Sequence, residues 1–332
     1  MKKLLKNTLT GLCITIITLL LMLAVLEVAY RYQWVDFYAS ELRQLNRHED
    51  LNSTKKKILV FGDSFSAQQG SYVAQLKYAP LNNHCVINSS VAGISAREIN
   101  LFAQSRIDEF KPDKIVIQLY TGNDLVDISH PYNWDSISVV RNLYWKTSDL
   151  CWSLAWLNYK LATLRQVFDT EQSFKYPRVT DTFSVNGYAG RVKMLLRADR
   201  QFIEKSVLLK DEKYHTAFNR MVDYVQSISN YFYSTNPNGK VVVLVIPHCT
   251  EVKEEYRSNY DMLGAVFTQP CGTVYPFYTL LQQRIKGPTI VDCSVPLHKA
   301  QSMGIQTYYY SDEHLTHDGQ KVVYKTILSH LQ

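Results

Sequence analysis

The chain has 332 residues, of which 46% are hydrophobic and 20% charged, a balance that excludes a disordered chain and suffices for one large folded domain with an insertion. Its formal net charge is +6; three of those charges precede the first apolar run, and the +3 left for the remainder is no nucleic-acid signature. Neither an internal repeat nor a low-complexity tract is evident.

After Lys2, Lys3 and Lys6, the segment from Asn7 to Leu26 carries no charge and is dominated by Leu, Ile, Val and Thr. At roughly 20 residues it has the length of a bilayer-spanning helix. A cleaved signal peptide is the close alternative, but its apolar core is usually about 7–15 residues, and Glu27-Val-Ala-Tyr-Arg31 offers no small-x-small cleavage site. An uncleaved anchor is expected. The lysines before the span leave the amino end cytoplasmic and the body outside, in a periplasm or at a cell surface. Residues 1–31 thus read as cytoplasmic tip and anchor, 32–54 as a polar, partly helical stalk, and 55–332 as the folded domain. Lys55-Lys56-Lys57 reads as a solvated linker rather than a phosphate patch.

The next run, Ile58-Leu-Val-Phe61, is a buried parallel strand by length and composition, and it breaks into Gly62-Asp63-Ser64 where such a strand would end. Open α/β sheets bind their ligands outside the carboxyl ends of the strands, so Ser64 on this turn is a candidate nucleophile. Alone, the tripeptide is more often an ordinary turn with Asp63 or Ser64 as helix cap. A second strand, Cys85-Val-Ile-Asn88, leads to Gly93, where a bare backbone N–H can approach a ligand. A third, Lys114 to Tyr120, ends in Gly122-Asn123-Asp124, and Asn123 could aim its side-chain N–H at a neighbouring strand end.

More than a hundred residues separate Asp124 from the strand Lys240–Ile246, more than a crossover needs, so an insertion is expected at about 130–235. Trp152 to Phe168 and Met194 to Tyr233 have helical composition, and Tyr176 to Gly190 is loop-like, which suggests a helical cap over the strand ends. Its aromatic residues, Tyr132, Trp134, Tyr144, Trp145, Trp152, Trp156 and Tyr159, could stack on sugar rings, although packing against the sheet is the commoner role of any one of them. Tyr308-Tyr309-Tyr310 is a better candidate for lining a pocket. Helix-like Tyr275 to Ile285, the strand Thr289–Cys293 and a final helix-like Lys321 to Leu331 complete an alternation that implies a mainly parallel sheet covered on both faces. Between them the polar loop Tyr310 to Gly319 supplies Asp312, His314 and His317.

These four blocks together resemble the SGNH branch of the GDSL hydrolases, in order and in spacing, over about Lys55 to Gln332. The resemblance implies a three-layer α/β/α sandwich with a flavodoxin-like sheet. It also implies Ser64 as nucleophile, His314 as general base, Asp312 as the group that orients it, and the N–H groups of Ser64, Gly93 and Asn123 as oxyanion donors. The family's usual pattern separates the acid and the histidine by two residues; here only Glu313 lies between, a spacing similar to that of membrane-bound and exported relatives that work on polysaccharide acetyl groups. His314 is preferred to His317 because it directly precedes Leu315-Thr316, as the family pattern has it.

The reading that follows is a membrane-anchored serine esterase acting on O-acetyl groups of a cell-envelope polysaccharide. The alternatives are an O-acyltransferase with the same Ser-His-Asp site, a catalytically silent glycan-binding or assembly protein and, more remotely, a metal phosphoesterase built from Asp63, Asn123, Asp312 and His314. No dinucleotide fingerprint, P-loop or zinc spacing is present, so no cofactor or metal is expected, and no nucleic-acid partner. Of six cysteines, Cys249 and Cys271 could close a loop as a disulfide in an oxidising compartment or remain thiols.

Overall fold

The computed structural model describes the chain except residues 1, 82, 169–180 and 273–274 and the side chains of 2–6 and 163–168. The expected loop Tyr176–Gly190 lies outside the described residues up to 180, as do the side chains of Lys2, Lys3 and Lys6. The chain divides into two compact units, one joining Met1–Phe37 to Thr147–Ser173 and the other joining Tyr38–Lys146 to Phe174–Gln332.

In the first unit a helix runs Lys2–Arg31. Its Asn7–Arg31 stretch is long and apolar enough to cross a membrane, a test that an N-terminal signal sequence also passes. Leu19, Leu20, Leu21 and Met22 are all exposed. Near the helix end, Glu27 accepts the backbone N–H groups of Trp152 (3.0 Å) and Ser153 (2.8 Å). This carboxylate caps the helix Ser153–Phe168 at the end that favours negative charge. Arg31 lies 4.2 Å over the Trp152 ring, and Trp156 meets Phe37 edge-on at 5.0 Å, so both tryptophans pack within this unit.

The second unit is built on five parallel strands, β1 (Lys56–Phe61), β2 (His84–Asn88), β3 (Lys114–Tyr120), β4 (Lys240–Ile246) and β5 (Thr289–Asp292), in the order β2-β1-β3-β4-β5. Consecutive residues of a strand face opposite sides of a sheet, yet every residue of β3 and β4 after the first is buried. Helices therefore cover both faces, which is why these strands read as unbroken apolar runs. Chain order reverses between β1 and β3: β1 is followed by β2 on one side and flanked by β3 on the other. That reversal opens a crevice at the carboxyl ends of the two strands, the usual ligand position in such sheets.

The insertion folds largely as helices, Val139–Leu150, Ser153–Phe168, Gly190–Ala198, Phe202–Leu208 and Glu212–Thr235. The continuous helical composition from Met194 to Tyr233 is thus broken twice, at Asp199 and at Leu209, the latter with a left-handed backbone. The last helix begins at His317 rather than Lys321, because the Thr316 hydroxyl accepts the Gly319 N–H at 3.1 Å and sets the cap there. Gly319 admits no side chain, since a Cβ would lie 2.0 Å from the Thr307 carbonyl.

At the other end, the helix Ala39–Leu45 and the residues after it belong to the sheet's unit. Buried Asn46 donates to the Asn88 carbonyl and accepts its N–H, at 2.8 and 2.9 Å. All six cysteines are thiols, with Cys249 and Cys293 buried.

Candidate active site

The turn after β1 is shaped by a buried amide. Gln118, on β3, accepts the Asp63 N–H at 3.0 Å and the Ser66 hydroxyl at 2.9 Å through one oxygen. Gly62 is required here because a Cβ would fall 2.5 Å from that same oxygen. The Asp63 carboxylate accepts the Phe65 N–H at 2.9 Å and so caps the short helix Ser64–Ala67, leaving Ser64 as its first residue, half-buried at the crevice. Two further amides tie this turn to its surroundings. Asn88, at the end of β2, donates to the Ser66 carbonyl at 2.8 Å, and Gln320, in the last helix, accepts the Tyr72 N–H at 2.9 Å and donates to the Phe65 carbonyl at 3.3 Å.

The loop before the last helix comes back to the same crevice. Tyr308 and Leu315 form an antiparallel bridge, Thr316 N–H donates to the Thr307 carbonyl at 2.9 Å, and residues 309–314 arch between them. At the tip, His314 Nδ1 meets Asp312 Oδ1 at 2.7 Å, and His314 Nε2 meets Ser64 Oγ at 2.8 Å. A proton on Nδ1 satisfies the carboxylate, so neutral His314 presents Nε2 as the acceptor for the serine O–H. The imidazole leans on the Phe65 ring, 5.0 Å between centroids, and Phe65 in turn packs on Tyr120 at 4.4 Å. Ser64, His314 and Asp312, 250 residues apart at the extreme, are thus joined by direct hydrogen bonds.

Electrostatics favour the charged imidazole. Burial alone would lower the His314 pKa, but the hydrogen bond and charge of Asp312, with the negative fields of Glu313 and Asp63, outweigh it and push it up to about 9. Asp312 is held below the usual carboxylate range by His314 despite its own desolvation. Burial pushes Glu313, Asp63 and Asp124 upward. Glu313 is met by the Tyr120 hydroxyl at 3.5 Å.

Asn123 follows β3 and Gly93 follows β2, the two strands that flank β1. The Val91 N–H donates to the Gly62 carbonyl at 3.0 Å, which draws the segment before Gly93 against the serine turn. Gly93 has φ +76°, in the left-handed region, and is exposed. Among the described residues, the N–H groups of Ser64 and Gly93 have no hydrogen-bond acceptor. Asn123 is half-buried, and its Nδ2 donates to Asp127 Oδ2 at 2.7 Å, leaving one of the two amide protons unspent.

The other histidines stand apart from this chain of bonds. His317 is exposed at the start of the last helix. His248 is buried between Thr250 (2.8 Å) and Tyr260 (3.1 Å), and desolvation lowers it to about 3, so it stays neutral. His298 meets the Val252 carbonyl at 2.7 Å. Sequence reasoning missed Gln118, Asn88, Asn46 and Gln320. Of these, Gln118 carried a signal, as the single polar residue inside an apolar strand.

No family model matches the sequence, and no curated protein does either. Solved structures similar to the chain include TesA, at 13% identity and a TM-score of 0.41, covering 83% of this chain and 98% of the other. A catalytic mutant of Axe2, an acetylxylan esterase from Geobacillus stearothermophilus, is 11% identical with a TM-score of 0.42, covering 84% and 94%. The lipase Lip_vut3 from a goat rumen metagenome is 10% identical with a TM-score of 0.41, covering 82% and 96%.

Proposed function

We propose that this chain is a membrane-anchored, extracytoplasmic serine esterase of the SGNH type that removes O-acetyl groups from a cell-envelope polysaccharide through an acyl-enzyme. The observation that carries the reading is the hydrogen-bonded path from Ser64 Oγ through both nitrogens of His314 to Asp312, located where the strand order reverses. A neutral serine hydroxyl is a poor nucleophile, and this path supplies the base and fixes its tautomer.

In the first half-reaction Ser64 Oγ bonds to the ester carbonyl carbon while its proton passes to His314 Nε2, and the carbonyl oxygen becomes an oxyanion. The N–H groups of Ser64, Gly93 and Asn123 stabilise that charge. Collapse breaks the bond to the sugar oxygen, which takes the proton from His314 and leaves as the free hydroxyl. Water then attacks the acyl-enzyme, giving its proton to His314, and Ser64 recovers a proton as the acid departs. Asp312 stays ionised and stabilises the imidazolium that forms twice in each cycle.

The apolar helix at the amino end supports the anchor, and the single residue between Asp312 and His314 supports the polysaccharide substrate. In this reading residues 1–31 are tip and anchor, 32–54 lead into the catalytic body, and 55–332 carry the site, with a helical insertion at about 130–235. The test is release of acetate from acetylated glycans by the full-length protein in detergent, beside a chromogenic acetyl ester. Turnover that disappears in Ser64→Ala and His314→Ala supports the esterase. Turnover that survives Ser64→Ala sinks it, and transfer of acetate to an added glycan in preference to water replaces it with the O-acyltransferase.

A further inference from the structure

Two charged side chains of the insertion reach the two halves of the site. Asp181, half-buried, accepts four hydrogen bonds on its carboxylate: Gln306 Nε2 at 2.7 Å and Tyr310 N at 2.6 Å on one oxygen, Ser311 N at 3.0 Å and Ser311 Oγ at 2.5 Å on the other. Tyr310 and Ser311 immediately precede Asp312, so this carboxylate clips the irregular arch that carries Asp312 and His314. Ten residues later, Arg191 pairs with Asp127 Oδ1, while Asp127 Oδ2 accepts the Asn123 amide. The Asp127 side chain is only 13% exposed, so its charge requires a partner, and Arg191 supplies it. A carboxylate held in this way fixes the Asn123 amide plane through one proton and leaves the other free.

We propose that Asp181 and Arg191 are positioning residues for catalysis, Asp181 setting the Asp312–His314 arch and Arg191, through Asp127, aiming the Asn123 proton at the oxyanion. Through these two residues the insertion completes the catalytic geometry. This rests on the esterase reading and extends it to residues outside the four motif blocks. A plain packing role would lower the melting temperature without singling out a step of the reaction, whereas a positioning role acts on kcat through a specific partner, since misplacement near 1 Å can cost about 100-fold.

The experiment is a double-mutant cycle of Arg191 with Asn123 and a pH profile of Asp181→Asn, on ester hydrolysis by the full-length protein, with melting temperature followed alongside. Arg191→Ala lowers kcat about 10- to 100-fold with KM little changed, and has no further effect in an Asn123→Ala background. Arg191→Lys, which keeps the charge, restores part of the loss. Asp181→Asn lowers kcat and moves the rising limb of the pH profile, set by loss of the His314 proton, to lower pH, because the Asp312–His314 bond loosens. Equal losses from Arg191→Ala in both backgrounds, or an Asp181→Asn enzyme with an unmoved pH limb, would overturn the proposal while leaving the esterase intact. Activity that persists in Ser64→Ala overturns both.

Discussion

The two sides of the crevice are held by different physics. On the nucleophile side, the Ser64 turn is fixed by neutral, buried amides of the sheet layer and last helix, Gln118, Asn88 and Gln320, with Asp63 as a local cap. Opposite, the Asp312–His314 arch and the Asn123 amide are held by carboxylates and a guanidinium that are partly exposed, Asp181, Asp127 and Arg191. Buried neutral amides are insensitive to pH and salt; half-exposed charges are not. In the proposed mechanism the nucleophile is therefore placed by the fold itself, whereas the proposed base and oxyanion donor depend on ionic contacts that conditions can loosen.

The largest effect should come from the nucleophile: Ser64→Ala is expected to lower kcat by about six orders of magnitude without changing the melting temperature, measured with the chromogenic ester. Asp312→Asn should cost about 10⁴-fold in kcat and bring the pH limb from about 9 toward the ordinary histidine value, because the tautomer and the charge support are lost together. Asn123→Ala should cost about 10²–10³-fold in kcat, read as a fall in kcat with KM retained.

The pH dependence itself separates the two sides. His314 must be neutral to act as base, so kcat/KM should climb between pH 7 and 9 and level off above. The linkage runs the other way: a histidine whose folded pKa is raised stabilises the fold fully below its unfolded value of about 6.5, and that contribution is lost as pH rises through about 9. Activity and the stability of the arch thus move in opposite directions over one window, visible as a falling melting temperature under a rising rate. Gln118→Leu tests the other side with the smallest effect on rate. It leaves the Asp63 N–H without its acceptor, while the Ser66 hydroxyl keeps Tyr72 OH at 2.7 Å, and should cost about 1–3 kcal/mol for the unsatisfied donor, with the pH limb unmoved.

What the sequence disclosed follows the same division. Strands β1 to β5 and the Gly62, Gly93 and Gly122 turns were legible because burial on both faces and tight turns leave local signatures. Ser64, His314 and Asp312 were legible through their motif blocks. Asp181 and Arg191 were not, because nothing local marks a carboxylate that will meet an N–H 130 residues on, or a guanidinium that will meet Asp127 64 residues back. Asn46 hid for a related reason: residues 32–54 are polar and read as a stalk, and the paired bonds of Asn46 with Asn88 belong to a partner 42 residues away that nothing local marks.

The account turns on Ser64 being activated by His314, and the most direct measurement is the rate of covalent modification by a fluorophosphonate as a function of pH, with the adduct located by mass spectrometry. The full-length protein in detergent should be labelled at Ser64, faster as pH rises toward 9, and not at all in Ser64→Ala or appreciably in His314→Ala. A folded wild-type protein that is not labelled, or is labelled equally well without His314, would contradict it.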